Sequence, residues 1–232
     1  MRSENKYFMK NTEQFKIKIL FAMVFFCFNM LHADIQTSPN FLFLESPHRS
    51  TPLVVTNTGT DEREVWVDIK FGYETTNDSG RLYIFIDSSG NSELSAASWV
   101  QGFPRRFVLG GGESQTVRLF VLPPSGLTDG EYWARVLVTS KPTKKPQPVE
   151  SAPTGVRQGI NLLHQLSLPF HYRVGRLTTG IIVNSFNAEA VDTSINLSMN
   201  LSKTGNAAYW GTRTIRIIDK SGKTVLTKTK NT

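Results

Sequence analysis

Cysteine is almost missing from this chain: there is one, Cys27, in 232 residues. A lone cysteine excludes a disulfide framework and any cysteine-rich zinc or iron–sulfur site. Histidine is nearly as scarce, and the four present (His32, His48, His164 and His171) are scattered. On one strand His164 and His171 would stand seven apart, face opposite sides and be unable to share a metal. No metal site is expected. Catalytic motifs are missing as well: there is no Gly-x-Ser-x-Gly elbow, Walker loop or paired-carboxylate motif. Gly110-Gly-Gly112 lacks the Lys-Ser/Thr pair and following helix of a phosphate loop. Asp87–Glu93 is acidic but does not keep calcium-loop spacing, and reads as a hairpin tip. These absences point to a binding protein, not an enzyme, with no cofactor.

Charge of one sign is also weak once the N-terminus is set aside. Residues 1–18 carry Arg2, Lys6, Lys10, Lys16 and Lys18 against Glu4 and Glu13. An apolar run from Ile19 to Leu31 follows, then His32-Ala33-Asp34. A basic start, about a dozen apolar residues and a small residue before the break describe a secretory signal peptide, cleaved after Ala33. The run is shorter than the roughly 20 residues of a membrane span. Val24-Phe-Phe26 is too bulky for Cys27 to be a lipid-bearing cysteine. Of 26 basic and 19 acidic residues, five and two go with the signal, leaving 21 against 17 and a charge of +4. That balance is too mild to argue for nucleic acid.

Helical periodicity is missing beyond Ala33. Short runs rich in Val, Ile, Phe, Tyr, Trp and Thr alternate with turn clusters about every ten residues, the pattern of an antiparallel sandwich. The expected strands are Phe41–Glu45, Pro52–Asn57, Glu64–Tyr73, Arg81–Asp87, Phe103–Val108, Gln115–Leu122, Glu131–Thr139 and Gly159–Arg173. Val65, Val67, Ile69 and Phe71 share one face, with Trp66, Asp68 and Lys70 on the other. Val117, Leu119 and Val121 repeat the pattern. Thr56–Thr60, Asn77–Gly80, Gly110–Gly112 and Asp129-Gly130 are turn chemistry. Four prolines between Lys141 and Gly155 predict an extended or mobile loop. The strand after it, 159–173, exceeds the usual five or six residues and overshoots any single partner.

From Leu177 a second set begins, with strands expected at Ile181–Phe186, Ser194–Leu201, Thr214–Asp219 and Thr224–Thr229. Only 56 residues remain from there, where an immunoglobulin-like sandwich takes about 100. Either this domain is unusually small or the sequence is a shortened version of something longer; the favoured expectation is the latter, a partial second β-sandwich.

Several stretches then fall into a known order. Pro52-Leu-Val-Val-Thr-Asn57 closes a strand on Asn. Ser98-Trp-Val-Gln-Gly-Phe-Pro104 leads to Leu109-Gly-Gly-Gly-Glu-Ser-Gln115 and Val117-Arg-Leu119. Asp129-Gly-Glu-Tyr-Trp133, the Pro-rich loop and a long alternating strand ending in Tyr172-Arg173 complete the series. Over residues 40–176 this resembles the periplasmic pilus-assembly chaperones, the PapD-like family. The resemblance implies a signal peptide (1–33), an immunoglobulin-like domain (34–176) and a partial C-terminal β domain (177–232). It implies a periplasmic chaperone that lends its long strand to an exported, pilin-like subunit, with an outer-membrane usher as a further partner. The donor row matched back from Tyr172-Arg173 is Ile160, Leu162 and His164, continued by Leu166 and Leu168. Glu131 and Arg173 match a charged pair that in the family fixes the angle between domains. The family also anchors a subunit's terminal carboxylate with an Arg on the first strand and a Lys on the last. Phe41 and Pro169 stand at those positions here, leaving Arg173, Arg176 or a charged His171 as candidate contacts. An immunoglobulin-like structural or adhesive surface module is the competing reading. A carbohydrate-binding sandwich using Trp99, Trp133 or Trp210 is a third.

Overall fold

The computed structural model of the chain describes residues 35–87, 92–143 and 162–231. The signal-like segment, residues 88–91 of the hairpin tip, residues 144–155 of the Pro-rich loop and Ile160 lie outside the described residues. Within them the protein is all-β, without a helix.

Two sheets form a sandwich of immunoglobulin-like build. The first joins β1 (Ile35–Ser38), β3 (Ser50–Asn57), β8 (Ser114–Val121) and β6 (Val100–Phe103) in that order. The second joins β2 (Leu42–Glu45), β10 (His164–Val174), β9 (Gly130–Pro142), β4 (Arg63–Thr76) and β5 (Leu82–Asp87), with β7 (Arg106–Leu109) also on β4. Neighbours are antiparallel except β2, which runs parallel to β10.

Period-two alternation builds the core. Leu53 and Val55 of β3 and Val117, Leu119 and Val121 of β8 are buried from one sheet. Val65 and Val67 of β4, Val136 and Val138 of β9 and Leu168, Phe170 and Tyr172 of β10 are buried from the other. Each such side chain contributes roughly 1.5–3 kcal/mol on leaving water. Trp99 is buried too, edge-on to Tyr132 at 5.5 Å and to Tyr172 at 5.6 Å, and so is part of the core. At the end of β3 the Asn57 amide is fully buried. Its Nδ2 donates to the carbonyl oxygens of Asp61, Leu109 and Gly110 at 2.7, 3.1 and 3.0 Å. Its Oδ1 accepts from the Gly59 N–H at 3.0 Å. One side chain thus ties two turns together.

The single strand expected over Phe103–Val108 is instead two. β6 ends at Phe103 opposite Arg118 in the first sheet, and β7 begins at Arg106 opposite Trp66 in the second. Pro104 has no N–H to give a ladder, so the chain leaves one sheet there and joins the other. β1, which the alternation did not signal, pairs Ile35–Ser38 with Val54–Asn57.

Beyond β10 lie two separate hairpins, β11 (Thr179–Val191) with β12 (Ser194–Gly205) and β13 (Thr212–Ile218) with β14 (Thr224–Asn231). The β11–β12 register puts Val183 opposite Leu201, Phe186 opposite Met199, Ala188 opposite Leu197 and Ala190 opposite Ile195. Those pairs form one apolar face. The other face carries Ser185 with Asn200, Asn187 with Ser198 and Glu189 with Asn196. The apolar face is exposed, Phe186 at 61%. Among the described residues the core cluster is drawn from 35–174.

Candidate functional site

β10 is paired along its whole length on one side and over only four of its eleven residues on the other. Its residues His164–Val174 face Gly130–Ser140 of β9. On the opposite edge β2 reaches only Phe170–Arg173. Among the described residues, no strand lies against that edge at 165–169.

Alternation along β10 then sorts the expected donor row. Leu168 is 6% exposed and belongs to the core of its own sandwich, and Leu166 packs partly against that core. His164 is exposed, and Leu162 just before the strand is 63% exposed, as is Leu163 at 62%. The row therefore passes from solvent into the sandwich at Leu166.

On the outer face of the same strands the register sets Glu131 of β9 opposite Arg173 of β10 and Trp133 opposite His171. Arg173 donates from Nε to Glu131 Oε2 at 2.7 Å, and its guanidinium lies 4.0 Å from the centre of the Phe43 ring. Glu131 Oε1 accepts from His171 Nδ1 at 2.8 Å, from Trp133 Nε1 at 2.7 Å and from the Ala208 N–H at 3.2 Å. The carboxylate is fully buried. Burial pushes its pKa up, but the hydrogen bonds from His171 and Arg173 outweigh burial and hold it at about 2. It is an anion at any ordinary pH.

Ala208 belongs to the segment after β12, so this carboxylate ties the sandwich to the second half of the chain. Asn206 adds to the tie. Its carbonyl accepts from the Glu131 N–H at 2.9 Å, and its Nδ2 donates to the carbonyls of Asp129 and Arg176 at 2.9 and 3.0 Å. Its Oδ1 accepts from the Thr178 N–H at 2.8 Å. Arg176 itself is exposed, and its N–H donates to Asp129 Oδ2 at 2.9 Å. Between them Gly175 holds φ +66°, and a Cβ there would overlap the Asp129 carboxylate.

Beside the joint lies a cleft of about 610 Å³, walled by the outer sheet face and by Tyr209 and Trp210. Phe41 and Pro169, the two departures from the expected anchor pair, both line it. Phe41 stacks on His171 at 4.9 Å and meets Trp210 edge-on at 4.8 Å. Arg135, nearly fully buried, donates from Nη2 to Glu74 Oε1 at 3.0 Å across Gly72. A Cβ at Gly72 would collide with the Phe85 carbonyl and the Ile86 side chain of the neighbouring strand, and would come within 3.2 Å of the arginine's Cγ. Lys203 holds its ammonium 5.7 Å from the centre of the Trp133 ring.

Sequence reasoning reached Glu131 and Arg173 but missed His171, Trp133 and Arg135 as their company. The available signal was parity: 131, 133 and 135 share a face, as do 169, 171 and 173. No family model matches the chain, and no curated protein matches it. Solved structures do. The Salmonella enterica SafA pilin–SafB chaperone complex is 12% identical with a TM-score of 0.45, over 87% of this chain and 97% of that one. The chain is similar in fold to periplasmic pilus chaperones. The Escherichia coli chaperone DraB is 11% identical with a TM-score of 0.43, over 84% of this chain and 95% of its own. The chaperone–tip subunit complex CsuC–CsuE of Acinetobacter baumannii gives 13% and 0.40, over 83% and 84%. Among the described residues no group of three or more His, Cys, Asp or Glu gathers as metal ligands. No helix among them is long and apolar enough to cross a membrane.

Proposed function

We propose that this chain is a periplasmic, chaperone-like protein that binds an exported, pilin-like subunit by lending it the start of β10, without cofactor or catalysis. The observation that carries the reading is the half-paired strand. Residues 165–169 have a partner on the β9 side only, and exposed Leu162 and Leu163 lie immediately upstream. A strand laid along that edge gains backbone hydrogen bonds, while alternate side chains fill its pockets. Leu162 and His164 are the donated side chains, with Ile160 before them and Leu166 at the boundary. Leu168 serves its own core. Arg176 is the exposed cation available to a subunit carboxylate, since Arg173 is taken by Glu131.

In this reading residues 1–33 direct export and residues 34–176 form the donating domain. Residues 177–232 form a second β domain held by the Glu131–Arg173 pair, and an outer-membrane usher receives the complex. The test is capture from native periplasmic extract with residues 34–232, beside Leu162→Asp. Leu162 is solvent-exposed, so the variant is expected to fold. One abundant exported protein, held by the wild type and lost by the variant, is the expected result. Equal capture by both proteins, or none by either, would sink strand donation and favour the immunoglobulin-like surface module.

A further inference from the structure

The open edge of β10 ends in the aromatic cleft. Pro169, the last residue of the unpaired stretch, lines that cleft and stands opposite Arg135 in the β9 register. We propose that the cleft seats one aromatic side chain of the bound partner, carried at the end of the partner strand that runs along 165–169. The proposal rests on the strand-donating reading above.

Size, walls and charge each select that occupant. A volume of about 610 Å³ takes an indole or phenyl ring with room for its backbone. Phe41, Tyr73, Trp133 and Trp210 offer ring faces and edges, and aromatic pairs favour the offset or edge-on contacts such a box provides. Trp210 is 54% exposed, so much of its ring still has no protein neighbour. The wall's ionisable groups are already matched. Arg135 has Glu74 at 3.0 Å and His171 has Glu131 at 2.8 Å. That leaves Lys203, whose ammonium rests on Trp133. An acid entering here would be desolvated against Phe41 and Pro169 with a single cation to meet it. A neutral ring complements the wall as it stands.

The test uses residues 34–232 and labelled, acetylated and amidated nine-residue strands of alternating threonine and valine. Each carries tryptophan, alanine or aspartate at its N- or its C-terminal end, because the strand direction is open. Fluorescence anisotropy is expected to show the tryptophan peptide binding at least tenfold tighter than the alanine peptide, with aspartate no tighter than alanine. Trp210→Ala and Phe41→Ala should each cut the tryptophan preference below threefold. Trp210→Phe, which keeps a ring, should retain the preference. Leu162→Asp should weaken all the peptides alike. Equal binding of tryptophan and alanine peptides would overturn the aromatic seat and leave the β10 edge standing. A preference for aspartate would overturn it in favour of a carboxylate seat. If no peptide binds, edge and seat fall together.

Discussion

Glu131 shows how one side chain holds two parts of this molecule. Each of its carboxylate oxygens has partners: Arg173 on one, His171, Trp133 and the Ala208 N–H on the other. Removing the charge leaves the Arg173 guanidinium without its counter-ion in a half-buried place, which costs about 3 kcal/mol at neutral pH. Glu131→Gln is therefore expected to lower urea-unfolding stability by roughly that amount at pH 7. The sign with pH follows from the lowered pKa. A carboxylate held at about 2 when folded and near 4.3 when unfolded stabilises fully above about pH 5. That stabilisation is lost as pH falls toward 2. The gap between wild type and Glu131→Gln should accordingly narrow by about 2 kcal/mol between pH 7 and pH 2.5. A gap that stays constant would show that the buried charge contributes nothing of this kind. Asn57 makes a quieter case. Asn57→Ala strips three carbonyl oxygens and one N–H of their partner, and should cost about 2–3 kcal/mol in the same assay.

At the scale of the element, one alternating row along β10 meets two environments. Its lower half is core and its upper half is edge, so identical substitutions should have unlike effects. Leu168→Ala opens a cavity in the sandwich and should cost about 2–4 kcal/mol. Leu162→Ala changes a solvent-exposed side chain and should stay within about 0.5 kcal/mol. Equal costs at the two positions would mean that Leu162 is also packed inside. The alternating row of β10 was legible in the sequence because alternation is a local property. Where the row enters the core was not, since that depends on how far the facing sheet covers the strand. The β6–β7 break had a visible cause in Pro104, but the run of apolar residues around it concealed the change of sheet. The Glu131 cluster was half legible: Glu131 and His171 are 40 residues apart, and only the β9–β10 register brings them together. Arg135 gave only the parity that sets it on the face of 131 and 133; its burial gave no signal, because a buried arginine looks in sequence like any surface charge.

At the scale of the whole molecule, burial is uneven. The sandwich of residues 35–174 has a packed core, whereas β11–β14 keep most apolar side chains at the surface. Two-stranded hairpins are marginal when nothing covers them. Amide exchange in 179–231 is therefore expected to run at least a hundredfold faster than in β3, β8 and β9, whose openings approach global unfolding. The open edge of β10 belongs to the stable part, as the proposed strand donation requires. The most direct measurement of the central claim is amide exchange on the captured complex against the free chain. Strand donation predicts new protection at 162–168, with the β3–β8 pair unchanged. Protection falling instead on the apolar face of β11 and β12, with 162–168 exchanging as before, would contradict it.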